Sequence, residues 1–216
     1  MRLSSVNVAR GPSRLKVGRR LTSTGIDKQP ANQPVEVGRL GLRGDTIWSK
    51  KHHGGPDQAV YVYGEADYAW WAAELGCPLE PGTFGENLTV TELESGEAFV
   101  GDRLLIGDRV VLEVTCGRTP CGTLTAHMGI KGFARRFREA ARLGIYCRVI
   151  ETGPVQAGDA VRYEPAATRL MSILEFEEML YAADPPREQL ERALAAPICE
   201  RGRREHERQL AALRSP

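Results

Sequence analysis

The strongest constraint on this chain is the way glycine cuts its apolar residues into strand-sized runs. Gly-Asp pairs recur at Gly101-Asp102, Gly107-Asp108 and Gly158-Asp159, each beside a short run rich in β-branched residues. Glycine supplies the positive φ of a tight turn and aspartate bonds its own backbone, so each pair predicts a chain reversal. Candidate strands cover residues 2–8, 19–22, 35–38, 59–63, 87–90, 103–106, 110–114, 146–151 and 160–163. The run Ala59-Val60-Tyr61-Val62-Tyr63 has almost pure strand composition. Many short strands joined by such turns predict a mainly β body, built as a barrel or a strongly coiled sheet.

Helices are expected at the periphery and at the C-terminal end. Tyr68, Trp71, Ala72 and Leu75 fall on one helical face, and Gly76 stands where a left-handed cap belongs. Residues 132–142 predict a second helix with Phe133 and Phe137 on its buried side. A short helix is also expected after Pro120, running toward His127. After Pro165 the texture changes. Ser172-Ile173-Leu174-Glu175 is a capping-box signature. Pro185-Pro186 separates that helix from one through Leu190 and Leu194, and Pro197 separates that from a polar third helix ending near Leu213. The expected organisation is a β body over residues 1–165 and a three-helix module over 166–216. With 216 residues the chain is long enough for one core and such a module.

Composition removes several function classes. With 29 basic and 28 acidic residues, no polyanion partner is announced. The densest basic stretch, Arg201–Arg208, is broken by Glu205 and Glu207, so it reads as a solvated helix face and not as a nucleic-acid surface. No apolar stretch approaches the roughly 20 residues that cross a bilayer. Met1–Val8 lacks the apolar run of a secretory signal, so no membrane association and a cytoplasmic location are expected. Cys77, Cys116, Cys121, Cys147 and Cys199 are odd in number and widely spread, which does not describe a disulfide framework.

Most of the chemistry concentrates in Val114-Thr115-Cys116-Gly117-Arg118-Thr119-Pro120-Cys121-Gly122-Thr123. A strand ending near Val114 and a helix starting after Pro120 put Cys121 at a strand-to-helix turn with Arg118 nearby. Both features favour thiolate over thiol. A thiolate there serves as nucleophile or soft metal ligand; the competing reading is a small buried hydrophobe. A Cys-x4-Cys zinc clip with Cys116 is discounted, because no second cysteine pair exists. Cys77, Cys147 and Cys199 read as core or incidental. His52-His53-Gly54-Gly55-Pro56-Asp57 is a second polar run. Thr24-Gly25-Ile26-Asp27-Lys28 and Phe84-Gly85-Glu86-Asn87-Leu88 are glycine-containing loops that serve either as turns or as phosphate and heterocycle contacts.

In this order and spacing, these runs resemble the MOSC family, named for the C-terminal domain of molybdenum cofactor sulfurases. With Ala59–Tyr63 and Val100-Gly101-Asp102 added, they look like its stand-alone YiiM-like branch, and the tail from Ala166 is similar to the three-helix module of that branch. The resemblance implies a β-barrel fold with a pocket, and molybdenum cofactor (molybdopterin) held by Cys121 as the metal ligand. It implies His53 as a further catalytic residue, and Lys28, Asn87 and Arg118 as cofactor-binding residues. The implied activity is reduction of N-hydroxylated compounds such as N-hydroxylated purine bases, with electrons from a separate reductase protein. A homodimer is implied as well, and pyridoxal phosphate is not expected.

Two departures stand out. The family often has Gln-Pro where this chain has Cys116-Gly117, and often a Lys or Tyr soon after the cysteine, where Gly122 and Thr123 stand here. These changes are expected to loosen the pocket beside Cys121 and to bring a second thiol near it. The alternative function is a sulfur or cofactor carrier using a Cys121 persulfide without turnover. A third reading is a non-catalytic module that senses cofactor and docks a partner through its helical tail.

Overall fold

The computed structural model describes residues 1–48 and 54–213. In chain order it contains β1 (Leu3–Val8), β2 (Ser13–Val17), β3 (Arg20–Thr24), β4 (Gln29–Pro30), β5 (Val35–Gly38), β6 (Gly41–Leu42) and β7 (Val60–Gly64). Helix α1 (Glu65–Leu75) leads to β8 (Leu88–Val90), β9 (Arg103–Ile106) and β10 (Val110–Gly117). Helices α2 (Gly122–Met128) and α3 (Phe133–Glu139) precede β11 (Ile145–Glu151), β12 (Gly153–Val155) and β13 (Val161–Glu164). Three helices follow: α4 (Ile173–Tyr181), α5 (Arg187–Ala195) and α6 (Glu200–Ala212).

The molecule is mixed β and α. Eight strands form one sheet in the order β13-β9-β10-β11-β7-β8-β1-β4, and two smaller sheets, β12-β5-β6 and β2-β3, flank it. Pairing in the large sheet is antiparallel except between β7 and β8, which run parallel because α1 provides the crossover between them. The expected barrel is corrected to an eight-stranded sheet, with no closed barrel among the described residues. The sheet coils far enough for its flanks to touch. The Leu3 amide donates to the Asp159 carbonyl at 2.9 Å, the Val161 amide to the Met1 carbonyl at 3.0 Å, and Arg2 forms a lone bridge with Ala160.

Side-chain alternation explains why one face of the sheet is buried. Along β11, Ile145, Cys147 and Val149 are buried while Tyr146 and Arg148 are less so, the period of two expected of a strand. Val60, Val62, Leu88, Leu104, Leu112 and Val114 join them in the main core. Each is worth about 1.5–3 kcal/mol of burial. A second, aromatic cluster holds the helices to the sheet. Trp71 of α1 stacks on Phe137 of α3 at 5.6 Å and donates from Nε1 to the Tyr63 hydroxyl at 2.9 Å.

Turn chemistry follows the sequence: Gly101, Gly107 and Gly158 have φ of 92°, 57° and 95°. Helix α3 stops short of the predicted residue 142, because Ala141 takes a φ of 54° and Gly144 one of 66°. β2 was not foreseen, since its exposed and half-buried positions carry no apolar run.

The C-terminal helices pack on the sheet through a third cluster. Phe176, Met179, Leu190 and Ile198 meet Val100 and Cys116 there. Ser172 and Glu175 make both bonds of the predicted capping box, at 3.1 and 2.9 Å. The charged face of α6 is laced by Glu200–Arg204 and Glu205–Arg208 pairs, as its alternating charges imply. Among the described residues no helix is long and apolar enough to cross a membrane.

Candidate functional site

β10 continues through Cys116 and Gly117, beyond its predicted end at Val114, and so delivers Arg118 directly from the sheet. The strand ends at Gly117, and after Arg118-Thr119-Pro120 Cys121 caps α2 with extended backbone at φ −132°, ψ 171°. Half-buried Cys121 lines a cavity of about 430 Å3 together with Arg118, Thr119, Thr123 and Tyr146. Lys28, Asp45, Tyr61 and Asn87 line it too, and Trp48, Gln58 and Arg201 complete much of its wall. Four predicted site residues thus converge. The fifth, His53, lies outside the described residues, as does His52.

Arg118 is buried at 5% exposure, and its Nη1 donates to the Phe84 carbonyl. Its guanidinium lies 5.2 Å from the Tyr61 ring centroid. Burial alone would lower the Arg118 pKa, but Tyr61, Tyr146 and Cys121 outweigh it and raise the value, so the guanidinium stays charged. Its Nε is buried with no hydrogen-bond partner among the described residues. Tyr61 is held rigidly: its hydroxyl donates to the Leu143 carbonyl at 2.7 Å, and its ring stacks on Tyr146 at 4.7 Å.

Lys28 and Asn87 converge on Asp45. Lys28 Nζ donates to both Asp45 oxygens at 2.6 and 2.5 Å, and Asn87 Nδ2 donates to Oδ2 at 2.9 Å. Asp45 Oδ1 also accepts the Ala9 amide at 2.8 Å. Burial lowers the Lys28 pKa, against the attraction of Asp45. Asn87 Oδ1 accepts the Tyr61 amide at 3.2 Å, so this side chain positions the Tyr61 backbone as well.

The loop glycines are explained by close approach. A Cβ on Gly25 would stand 1.8 Å from the Thr46 carbonyl oxygen, and one on Gly85 2.8 Å from Ile26 Cγ1. The expected loosening beside Cys121 is not seen. A Cβ on Gly117 would meet Leu143 at 3.2 Å and one on Gly122 would meet Val17 at 3.1 Å, so both glycines are packed by neighbours.

Sequence reasoning did not single out Asp45, Gln58, Thr119, Tyr146 or Arg201 as site residues. Asp45 sits in a segment without motif character, Gln58 stands between two quoted runs, and Arg201 opens the charged stretch read as a solvated helix face; only folding brings them to the cavity. Tyr61 had one signal, its place at an alternate position of the Ala59–Tyr63 run. The C-terminal helices also reach the site: Thr119 Oγ1 donates to Glu177 Oε2 of α4 at 3.1 Å.

A profile of the MOSC domain matches residues 49–162, more than half of the chain and including Arg118 and Cys121. The chain belongs to the MOSC domain family. Among its relatives, YflK of Bacillus subtilis is 36% identical over 154 residues, which cover 71% of this chain and 69% of YflK. YiiM of Escherichia coli is 35% identical over 135 residues, covering 61% of this chain and 60% of YiiM. A Gibberella moniliformis protein named Reductase is 32% identical over 171 residues, or 77% of this chain, which spans only 30% of the fungal protein. The crystal structure of YiiM from Geobacillus stearothermophilus shares the fold, with a TM-score of 0.77 at 23% identity, covering 97% of this chain and 98% of that one. The MOSC chain is therefore YiiM-like in sequence and in fold.

Proposed function

We propose that this MOSC protein binds a molybdenum cofactor through Cys121 and reduces N-hydroxylated compounds, N-hydroxylated purine bases among them. The observation that carries the reading is the shared wall of Cys121 and Arg118 in one cavity. Its volume of about 430 Å3 falls in the range of small-ligand sites. The chemistry of the donors fits the group. A thiolate is a soft ligand suited to molybdenum, and the orphaned Arg118 Nε is a buried donor in want of an acceptor. A cofactor that carries its own metal ligands needs only one from the protein. Among the described residues no cluster of three or more His, Cys, Asp or Glu side chains could hold a bare ion.

When bound, the cofactor supplies the two-electron step, and a separate reductase protein supplies the electrons. The chain's own residues bind and orient. Arg118 balances negative charge beside Cys121. Lys28 and Asn87 shape another part of the wall through Asp45, contributing geometry more than net charge, because the Lys28–Asp45 pair neutralises itself. Tyr146, half-buried and backed by the Tyr61 ring, brings an aromatic side chain to the cavity against which a planar base can lie. His53 is the proton donor or hydrogen-bond donor in this reading. Residues 1–165 form the MOSC body and 166–216 an appended helical module, and the working unit is a homodimer.

The test uses protein purified with its cofactor. Molybdenum and pterin are measured per chain, with reduction of N-hydroxylaminopurine, in the parent and in Cys121→Ser. Loss of metal and of reduction together is expected. Retention of both by Cys121→Ser sinks the assignment. A labile extra sulfur on Cys121 without any reduction identifies a sulfur carrier instead.

A further inference from the structure

The near-even charge of the whole chain conceals a local imbalance. Residues 1–26 hold no Asp or Glu, and the first acid is Asp27. Arg10, Arg14, Lys16, Arg19 and Arg20 stand on or beside the β2–β3 hairpin, and all are exposed. Exposed arginines elsewhere are paired: Arg162 with Glu164, Arg187 with Glu191, Arg204 with Glu200 and Arg208 with Glu205. The hairpin cations form no ion pair among the described residues. Clustered like charges repel one another and favour a partner of opposite sign.

The register of the hairpin gives it two faces. Lys16 pairs with Leu21 and Arg14 with Ser23, so both cations share a face with Leu21, which is 64% exposed. Gly18 turns the strands at a φ of 60°, with Arg19 beside it. The other face is turned inward: Leu15 and Val17 are half-buried, and α2 packs on β2. Val17 Cγ1 would stand 3.1 Å from a Cβ on Gly122, the residue after Cys121. Thr22 and Thr24, paired with Leu15 and Ser13, line the same cavity as Cys121. A thin ribbon thus backs the wall of the candidate site and presents cations around an apolar residue on its outer side. It carries no aromatic side chain on which single-stranded nucleic acid would stack. An apolar centre with a charged rim is the anatomy of a protein interface.

We propose that the outer face of the β2–β3 hairpin docks the electron-donor protein through an acidic surface of that protein. The inference rests on the function proposed above, which takes its electrons from a separate reductase. The cations steer the encounter and Leu21 enters the contact. The ribbon then sets the donor against the wall beside Cys121. The class of partner that fits is an acidic flavin or iron–sulfur protein.

The test compares the cofactor-loaded parent with the variant Arg14→Gln/Lys16→Gln/Arg19→Gln, whose changes are exposed and outside the cavity lining. Reduction of N-hydroxylaminopurine is driven in two ways. One donor is reduced methyl viologen; the other is NADH and NADPH with a nuclease-treated, membrane-free extract of host cells lacking this protein. The variant should keep the viologen-driven rate and lose about ten-fold of the extract-driven rate at low salt. In the parent, the extract-driven rate should fall as salt rises from about 20 to about 200 mM. A second readout needs no turnover. Carbodiimide joins an amine to a carboxylate, and it should link the peptide holding Lys16 to an Asp or Glu of a flavin or iron–sulfur protein in the extract. Equal extract-driven rates in parent and variant overturn the docking surface and leave the function of Cys121 standing. So does a parent that viologen drives and the extract does not. Binding of RNA or anionic vesicles that only the variant loses, with extract-driven rates unchanged, assigns the face to another partner and overturns the proposal. A loaded parent that viologen cannot drive removes the function proposed for Cys121, and this inference with it.

Discussion

Thr119 Oγ1 donates to Glu177 Oε2 at 3.1 Å, tying the segment between Arg118 and Cys121 to helix α4. The other carboxylate oxygen, Oε1, is buried with no hydrogen-bond partner among the described residues. The first C-terminal helix is thus an anchor of the cavity wall.

Burial pushes the Glu177 pKa up to about 7, while Thr119, Arg138 and Arg201 pull the other way. The unfolded carboxyl titrates near 4.3. Between these values the folded state keeps a proton that the unfolded state has lost, so stability falls as pH rises through that window. The loss from this one group is on the order of 3 kcal/mol. Glu177→Gln removes it, and the difference in unfolding free energy between parent and variant, measured from pH 4 to 8, should widen in favour of the variant. A constant difference across that range would reject the assignment.

Arg118→Lys is not a conservative change here. The buried guanidinium donates to the Phe84 carbonyl and lies over the Tyr61 ring, and an ammonium reproduces neither the fork nor the planar stacking. Loss of a charged hydrogen bond to a buried carbonyl predicts a cost of about 1.5–3 kcal/mol. Urea unfolding should show it, together with weakened cofactor retention. Equal stability of parent and Arg118→Lys would contradict this account.

Lys28 and Asp45 are a buried pair, with side chains 6% and 3% exposed. Removing one partner strands the other, so Lys28→Ala should destabilise by about 3–5 kcal/mol. Asp45 also holds the Ala9 amide and Asn87, so Asp45→Ala should cost at least as much. Denaturant melts of both variants check this. A surface-like effect of Lys28→Ala, below about 0.5 kcal/mol, would show that the lysine is not built into the wall.

Gly25 and Gly129 provide a contrast between two reasons for glycine. Gly129 takes a left-handed φ of 66° with open space around its Cβ position, so Gly129→Ala should cost about 1–2 kcal/mol. Gly25→Ala drives a methyl into the Thr46 carbonyl and must displace the backbone of the cavity wall. Its melting temperature should fall further than that of Gly129→Ala, and the reverse order would refute the close-approach explanation.

Much of the fold was legible because local signals agreed. The glycine turns at 101, 107 and 158, the cap at Gly76 and the Ser172–Glu175 box each depend on a few adjacent residues, and each forms as read. β2, β4, β6 and β12 were not legible. β4 and β6 are two residues long, and β2 carries no apolar run; such strands exist because a neighbouring edge pairs with them.

The sequence by itself determined the family, the strand-to-helix turn at Cys121, and the run that supplies Arg118, because these rest on adjacent residues and ordered motifs. Only the tertiary structure decided that Lys28 pairs with Asp45, that Tyr61 lies under Arg118, that Arg201 reaches the cavity from α6, and that Glu177 of α4 holds the cavity residue Thr119. The physical reason is range. Turns and caps are local backbone events, whereas the charge state and reactivity of a buried group depend on neighbours that arrive only when the chain is packed.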